Sequence, residues 1–347
     1  MPTASDILAM MASGNPEQVR AGKRALAELE RTSPDDPMVI AHSCHLAVCE
    51  DRSDDAMRWL AKIDASQVDP FFHTLSVLGG LRRVASFLRR AGAERDGGTI
   101  AALLGLCHQS IYQRDWTATE PWPLDNSRLS RPVGDHMPRA SHDLARRISE
   151  TGQGMGDATP IAGGEVPWAD GTVLFNLVAQ LRPRRILEIG FAKGLSTLFM
   201  LSAWDGVESH TVVDPLQWSA YRFNGVKNVT AAGHGDKLRL IQLPSSLAMP
   251  TLLADGESFD LIFIDGSHCF EHTILEALYA DLLAEWHTVV AFHDYHMEPV
   301  FAAIEFMRLN RGWAGLVAAD VAILRRDRAK PNLQNDYVPF STARPKT

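Results

Sequence analysis

Apolar residues recur at three- and four-residue spacing from the start of the chain to about residue 115, with few β-branched runs, and this periodicity predicts helix after helix. Ala25, Leu26 and Leu29 begin one stripe; Met57, Leu60 and Ile63 form another. The stripes match at an offset of 34, which aligns Arg24 with Arg58, Leu26 with Leu60, Ala27 with Ala61 and Asp35 with Asp69. That offset is the period of the tetratricopeptide repeat, yet two degenerate copies also suit an ordinary helical bundle, and both readings stand. Between Trp116 and Asp170 the periodicity lapses: six prolines and six glycines leave room for one helix, about 141–150, with Ser141 as its N-cap. So long an irregular stretch is a linker or a lid, and Trp116, Trp122 and Trp168 favour the lid, being poor choices for a solvated tether.

From Val173 the pattern changes again. Continuous apolar runs at 185–190, 210–214, 238–243, 259–265 and 287–292 alternate with helical stretches. Such runs are strands buried on both faces, so the alternation predicts a parallel sheet covered by helices on both sides. After a helix at about 299–309, the runs 313–319 and 321–326 follow closely enough for a hairpin, which adds an antiparallel strand. The predicted organisation is an all-α region over 1–115, a linker or lid over 116–171, an α/β doubly wound, Rossmann-like seven-stranded domain over 172–327, and an extended tail over 328–347.

Composition narrows the classes. In 347 residues, 46% hydrophobic and 22% charged, disorder is excluded, and no apolar run is long enough for a membrane span. The first 20 residues lack the basic start and apolar stretch of a secretion signal, so a cytoplasmic location is expected. Cys44, Cys49, Cys107 and Cys269 contain no CxxC pair and suggest no disulfide framework. A net charge of -8 argues against a nucleic-acid partner. The surplus is in histidine, with 13.

The chemistry gathers at strand ends, where open sheets bind ligands. Glu188-Ile-Gly190-Phe191-Ala-Lys-Gly194-Leu-Ser196-Thr197 spans the first strand-to-helix turn, where glycines let the backbone approach a ligand. A buried Glu188 needs a partner, and a ligand's cationic amino group would supply one. Asp214 ends the second strand, a position suited to ribose hydroxyls. Together these residues resemble the class I S-adenosylmethionine-dependent methyltransferases, and the Glu-x-Gly-x-x-x-Gly-x-Ser-Thr form is similar to the catechol-type and macrolide-sugar O-methyltransferases. The resemblance implies that Glu188, Gly190, Phe191, Gly194, Ser196, Thr197, Asp214 and Asp265 hold S-adenosylmethionine, with Ser246 near the adenine and a reversed strand supplied by the terminal hairpin. Trp218 is a candidate for stacking on the adenine, or else packs against the next helix.

Asp265 and Asp294 end neighbouring strands, and two carboxylates there can hold a hard divalent cation. The resemblance implies magnesium, but where those relatives carry an Asn or an acid beside the second carboxylate this chain offers His293 before Asp294 and Tyr295 after it, so a softer metal, weak magnesium binding or no metal all remain open. His268 matches the general base of the macrolide-sugar enzymes, an imidazole near neutrality that takes the acceptor's proton; its plainer alternative is a helix cap. His272, His287, His293 and His296 fall in the same region, with His272 expected to share a helix face with His268 and His287 to carry no chemistry. Arg325 and Arg326 read as a solvated end. The resulting expectation is an enzyme that methylates a hydroxyl of a polar small molecule such as a natural product, sugar or phenol. His268 is its base, and Asp265, Asp294 and His293 are its metal candidates. Association between copies would run through the N-terminal helices. A metal-independent N-methyltransferase and a non-catalytic protein-binding module are the alternatives.

Overall fold

The computed structural model describes residues 2–13, 15–50, 52–63, 124–155, 166–327 and 338–340, with single positions and pairs between 70 and 103. The chain divides into two compact units, the first comprising Met1–Arg114 and Leu253–Glu257 and the second Asp115–Leu252 and Ser258–Thr347.

In the first unit, α1 (Ala4–Ala12), α2 (Pro16–Thr32), α3 (Pro37–Cys49) and α4 (Ser53–Leu60) follow one another. Their starts are set by local chemistry. Thr3 and Asp6 form a reciprocal capping box, and Asn15 and Asp36 each accept two backbone N–H groups just ahead of a first-turn proline. Leu26, Leu60 and Ile63 of the predicted stripes are buried. The second copy of the 34-residue pattern continues into 64–69, outside the described residues, as do Trp116 and Trp122. Two histidines here are structural: His42 is buried between Thr74 Oγ1 at 2.9 Å and the Ala4 carbonyl at 3.2 Å, and burial lowers its pKa. His45 is buried with its Nε2 3.6 Å from Cys49 Sγ.

The second unit opens with α5 (Asn126–Leu129), α6 (Arg139–Thr151) and α7 (Trp168–Leu181). Leu129, Val133, Met137, Leu144 and Ile148 share one core with the sheet. Ser141 is not the N-cap of α6. The helix starts after Pro138, and Ser141 is buried within it, because Ser141, Leu144, Ala145 and Ile148 form the inward stripe. Trp168 packs edge-on against Phe199 (5.0 Å between ring centres), and Gly171 lets α7 lie against that ring, where a Cβ would come within 2.4 Å.

The sheet strands are β1 (Arg185–Ile189), β2 (Ser209–Val213), β3 (Leu238–Ile241), β4 (Phe259–Ile264), β5 (Ala284–Phe292), β6 (Trp313–Ala318) and β7 (Val321–Arg326). Their order is β3-β2-β1-β4-β5-β7-β6. β1 to β5 are parallel, and β7 runs antiparallel to both β5 and β6, as the hairpin predicted. The crossovers are α8 (Leu195–Ala203), α9 (Asn224–Ala231), α10 (Ser245–Ala254), α11 (Phe270–Leu283) and α12 (Glu298–Asn310). Of the tail, only 338–340 are described, and there Val338 exchanges two hydrogen bonds of 2.9 Å with Asn310. No helix among the described residues is long and apolar enough to cross a membrane.

One expectation about a charged group is overturned. Arg326 is not a solvated end: it is buried, its Nη2 lies 2.6 Å from Asp281 Oδ1, and its guanidinium sits 4.6 Å from the centre of the Trp313 ring. Arg311 and Trp313 also donate to Asp281, so one buried carboxylate joins α11, the end of α12, β6 and β7. His287 does not face the ligand edge. It pairs at 2.9 Å with Asp260, which accepts from the Arg184 and Arg185 N–H groups where β1 and β4 begin. Burial alone would raise the Asp260 pKa, but the hydrogen bonds from His287, Arg185 and Arg184 pull it down to about 2. A carboxylate depressed from 3.8 stabilises the fold above that value and ceases to as pH falls through about 2. Wild type is therefore expected to lose roughly 2 kcal/mol more than Asp260→Asn across that window, read as the difference in urea midpoints. Parallel pH profiles would contradict the assignment.

Candidate active site

The turns after β1 to β5 surround a cavity of about 590 Å³, within the range of small-molecule sites. Ile189, Gly190, Phe191, Leu195 and Ser196 supply its first wall. Gly190 has φ +87°, and a Cβ there would stand 1.9 Å from the Asp265 carbonyl oxygen, so the turn admits only glycine without shifting. Gly194, with φ +75°, is the N-cap of α8 and lies outside the cavity lining, as does Thr197.

Glu188 is fully buried and does not line the cavity. Its partners are the Ser196 hydroxyl, Thr197 Oγ1 at 2.5 Å and His210 Nε2 at 2.6 Å, not a ligand amine. The two hydroxyls of α8 thus tie Glu188 of β1 to the helix that follows it. Asp214 does line the cavity. Its Oδ2 accepts from the Ala192 N–H at 2.8 Å, Gln217 Nε2 at 2.9 Å and the Phe191 N–H at 3.3 Å, while Oδ1 takes the Leu216 N–H at 2.7 Å and keeps acceptor capacity. Beyond β3 the lining residues are Pro244 and Ser245, at the start of α10, and not Ser246. Trp218 tilts against Phe223 at the start of α9 while staying 72% exposed, and it lies off the cavity lining.

At the β4 and β5 ends four side chains converge. Asp265, His268, His293 and Asp294 each present one ligand atom, all within 4.8 Å of one another. His268 has φ +55° and precedes α11, whose N-cap is Cys269, so it neither caps that helix nor shares its face with His272. Asp294 also has φ +55°. Left-handed backbone at two adjoining non-glycine residues is strain of the kind that collects at functional sites. His268 Nε2 lies 2.9 Å from Asp294 Oδ2 and 3.4 Å from Asp265 Oδ1, buried but without an aligned hydrogen bond. His293 Nδ1 lies 3.0 Å from Asp265 Oδ1 and 3.3 Å from Asp294 Oδ2. Its Nε2 turns the other way, to Asp170 Oδ2 at 3.3 Å.

The carboxylates set the charge state. Asp265 and Asp294 push His268 up to about 9 against the effect of burial. Burial alone would lower His293, but Asp170, Asp265 and Asp294 more than offset it and push it up to about 12. The same contacts hold Asp294 far below the usual carboxylate range, through His268 first and His293 second. An imidazole near neutrality, as the sequence suggested for His268, is thus not what two flanking carboxylates produce.

Asp170 and Glu276 complete the surroundings, and neither was among the sequence candidates. Asp170 sits in the first turn of α7, with Oδ1 accepting the Asp320 N–H at 2.8 Å. Glu276 lines the cavity, and burial raises its pKa. The signal for both was an acid on an otherwise apolar helix face. His272 lines the cavity 2.7 Å from Ser267 Oγ. His296 pairs with Asp320 and is half exposed.

Residues 187–295 match a family model described as a methyltransferase domain. Cofactor-bound Rv0187 from MTB is 20% identical, with a TM-score of 0.46 over 60% of this chain and 100% of its own. The O-methyltransferase from Bacillus cereus in complex with SAH is 18% identical, TM-score 0.44, over 54% and 90%. The O-methyltransferase TomG from Streptomyces achromogenes, involved in tomaymycin synthesis and in complex with SAM, is 17% identical, TM-score 0.43, over 55% and 90%. No curated protein matches the chain in sequence. The family match spans the strand ends that form the cavity, so the second unit carries a stretch similar to a methyltransferase domain, in line with the resemblance seen in the sequence.

Proposed function

We propose that the second unit transfers the methyl group of S-adenosylmethionine to a hydroxyl of a polar small molecule. The observation that carries this reading is one cavity joining the Gly190 and Asp214 turns to the Asp265, His268, His293 and Asp294 cluster. The turn at Gly190 and Phe191, with the first N–H groups of α8, suits the amino-acid end of the cofactor, and the spare acceptor capacity of Asp214 Oδ1 suits a ribose hydroxyl. Val166 and Pro167 reach the lining, which supports a lid role for 116–171; residues 156–165 lie outside the described set.

Methyl transfer is an in-line substitution: the acceptor oxygen bonds to the methyl carbon, the carbon–sulfur pair returns to sulfur, and the hydroxyl proton must leave. His268 in its neutral form takes that proton. Asp265 and Asp294 hold the ring in place and raise its affinity for the proton. Asp265, Asp294 and His293 would also hold a divalent cation, and two details fit one. Their donor atoms lie within 4.8 Å of one another, and His293 Nε2 is braced by Asp170 in the way outer carboxylates orient metal-bound histidines. The mixed nitrogen and oxygen set suits a zinc- or iron-like ion better than magnesium. When bound, such an ion acidifies a coordinated hydroxyl.

Incubation with methyl-deuterated S-adenosylmethionine and a panel of catechols, sugars and amines tests the acceptor class by mass shift. Products on hydroxyls are expected, and label on amines alone would replace oxygen by nitrogen as the acceptor.

A further inference from the structure

The methyl-transfer reading leaves one buried ionisable group on the cavity wall without a task. Glu276 is 2% exposed, and its Oε1 accepts a 2.6 Å hydrogen bond from Ser245 Oγ. Among the described residues no hydrogen bond reaches Oε2. The carboxyl rests against the bare α-carbon of Gly266, where an added Cβ would come within 3.0 Å of Oε1. Ser245, Gly266 and Glu276 all line the cavity. A carboxyl oxygen facing a cavity without a protein partner is open to water or to a ligand donor.

The sheet order says which part of the ligand arrives there. β3, β2 and β1 lie side by side in that order. With the amino-acid end of the cofactor at Gly190 beyond β1 and the ribose at Asp214 beyond β2, the chain of groups continues to the β3 end, where Ser245 holds Glu276. The group attached to the ribose is the adenine, whose edge carries an amine donor beside a ring-nitrogen acceptor. Burial raises the pKa of Glu276, so a neutral carboxyl, which accepts from the amine and donates to the ring nitrogen, is within reach there.

We propose that Glu276, fixed by Ser245, recognises the exocyclic amine of the adenine and so selects the cofactor by its base. This rests on the methyltransferase reading. The test is calorimetric binding of S-adenosylhomocysteine and of its 6-deamino purine analogue to wild type, Glu276→Gln and Glu276→Leu. Wild type should prefer the adenine ligand by roughly tenfold, the value of one hydrogen bond in a buried site. Glu276→Gln, whose carbonyl still accepts, should keep part of that preference, and Glu276→Leu should bind the two ligands equally. A purely structural role would weaken both ligands alike and leave the ratio unchanged. A preserved ratio in Glu276→Leu, or no preference in wild type, overturns the proposal while the cofactor reading survives. Absence of any S-adenosylhomocysteine binding by wild type overturns both.

Discussion

Replacing His268 with alanine should lower turnover by about two to four orders of magnitude, the usual range for a proton acceptor in the transition state, with S-adenosylhomocysteine affinity almost intact. The separation follows from place: His268 stands at the β4 end with Asp265 and Asp294, whereas the turns proposed for the cofactor lie at the ends of β1 and β2. Its charge state gives a second signature. Because the two carboxylates raise its pKa to about 9, the neutral form grows as pH rises through that value, and turnover without added divalent cation should climb over the same window. A cation bound between the carboxylates would offset their pull and move that limb to lower pH. For the fold the sign is opposite: the raised pKa lends stability below about 6.5 that is lost as pH rises through about 9. Turnover of His268→Ala equal to wild type would remove the residue from the mechanism, and loss of cofactor affinity in step with turnover would make it structural.

The second large effect concerns stability. Asp281→Asn should cost about 3–5 kcal/mol, because it leaves the buried Arg311 and Arg326 guanidinium groups uncompensated. Against a typical total of roughly 5–15 kcal/mol, that loss brings the sheet unit close to unfolding at room temperature. The price of burying so much charge is visible in the reverse experiment. Changing Asp281, Arg311 and Arg326 together to apolar residues of similar volume should recover much of the loss, since no unpaired charge then remains. Urea midpoints for the single and triple variants check both statements. A single variant within about 1 kcal/mol of wild type would show that the network is dispensable.

Much of the sheet was legible because strands buried on both faces must be apolar throughout, and the five parallel runs fall within three residues of the observed strands. β5 begins earlier than its apolar run, at Ala284, where the pairing with β4 slips between Phe259 and Leu261. The site was legible where topology alone decides it: acids and histidines that end parallel strands necessarily meet at one edge, which gave Asp265, His268, His293 and Asp294. Side-chain direction was not legible. Glu188 has the right position and points into the protein, where Ser196, Thr197 and His210 satisfy it. Nor were partners separated in sequence. Asp170 lies 123 residues from His293, and Glu276 meets Ser245 from 31 residues away. His287 shared a sequence neighbourhood with the cluster, yet its place in β5 carries it to the start of β4 beside Asp260.

On the proposed function the cavity at the ends of β1 to β5 holds S-adenosylmethionine, and calorimetric titration with S-adenosylhomocysteine, on wild type and on Gly190→Ala, decides the matter. Saturable binding of one equivalent to wild type is predicted. Gly190→Ala should bind at least tenfold more weakly, because its Cβ would stand 1.9 Å from the Asp265 carbonyl oxygen and force the turn to move. No heat with wild type up to the solubility limit of the ligand, or equal affinities for the two proteins, would contradict it.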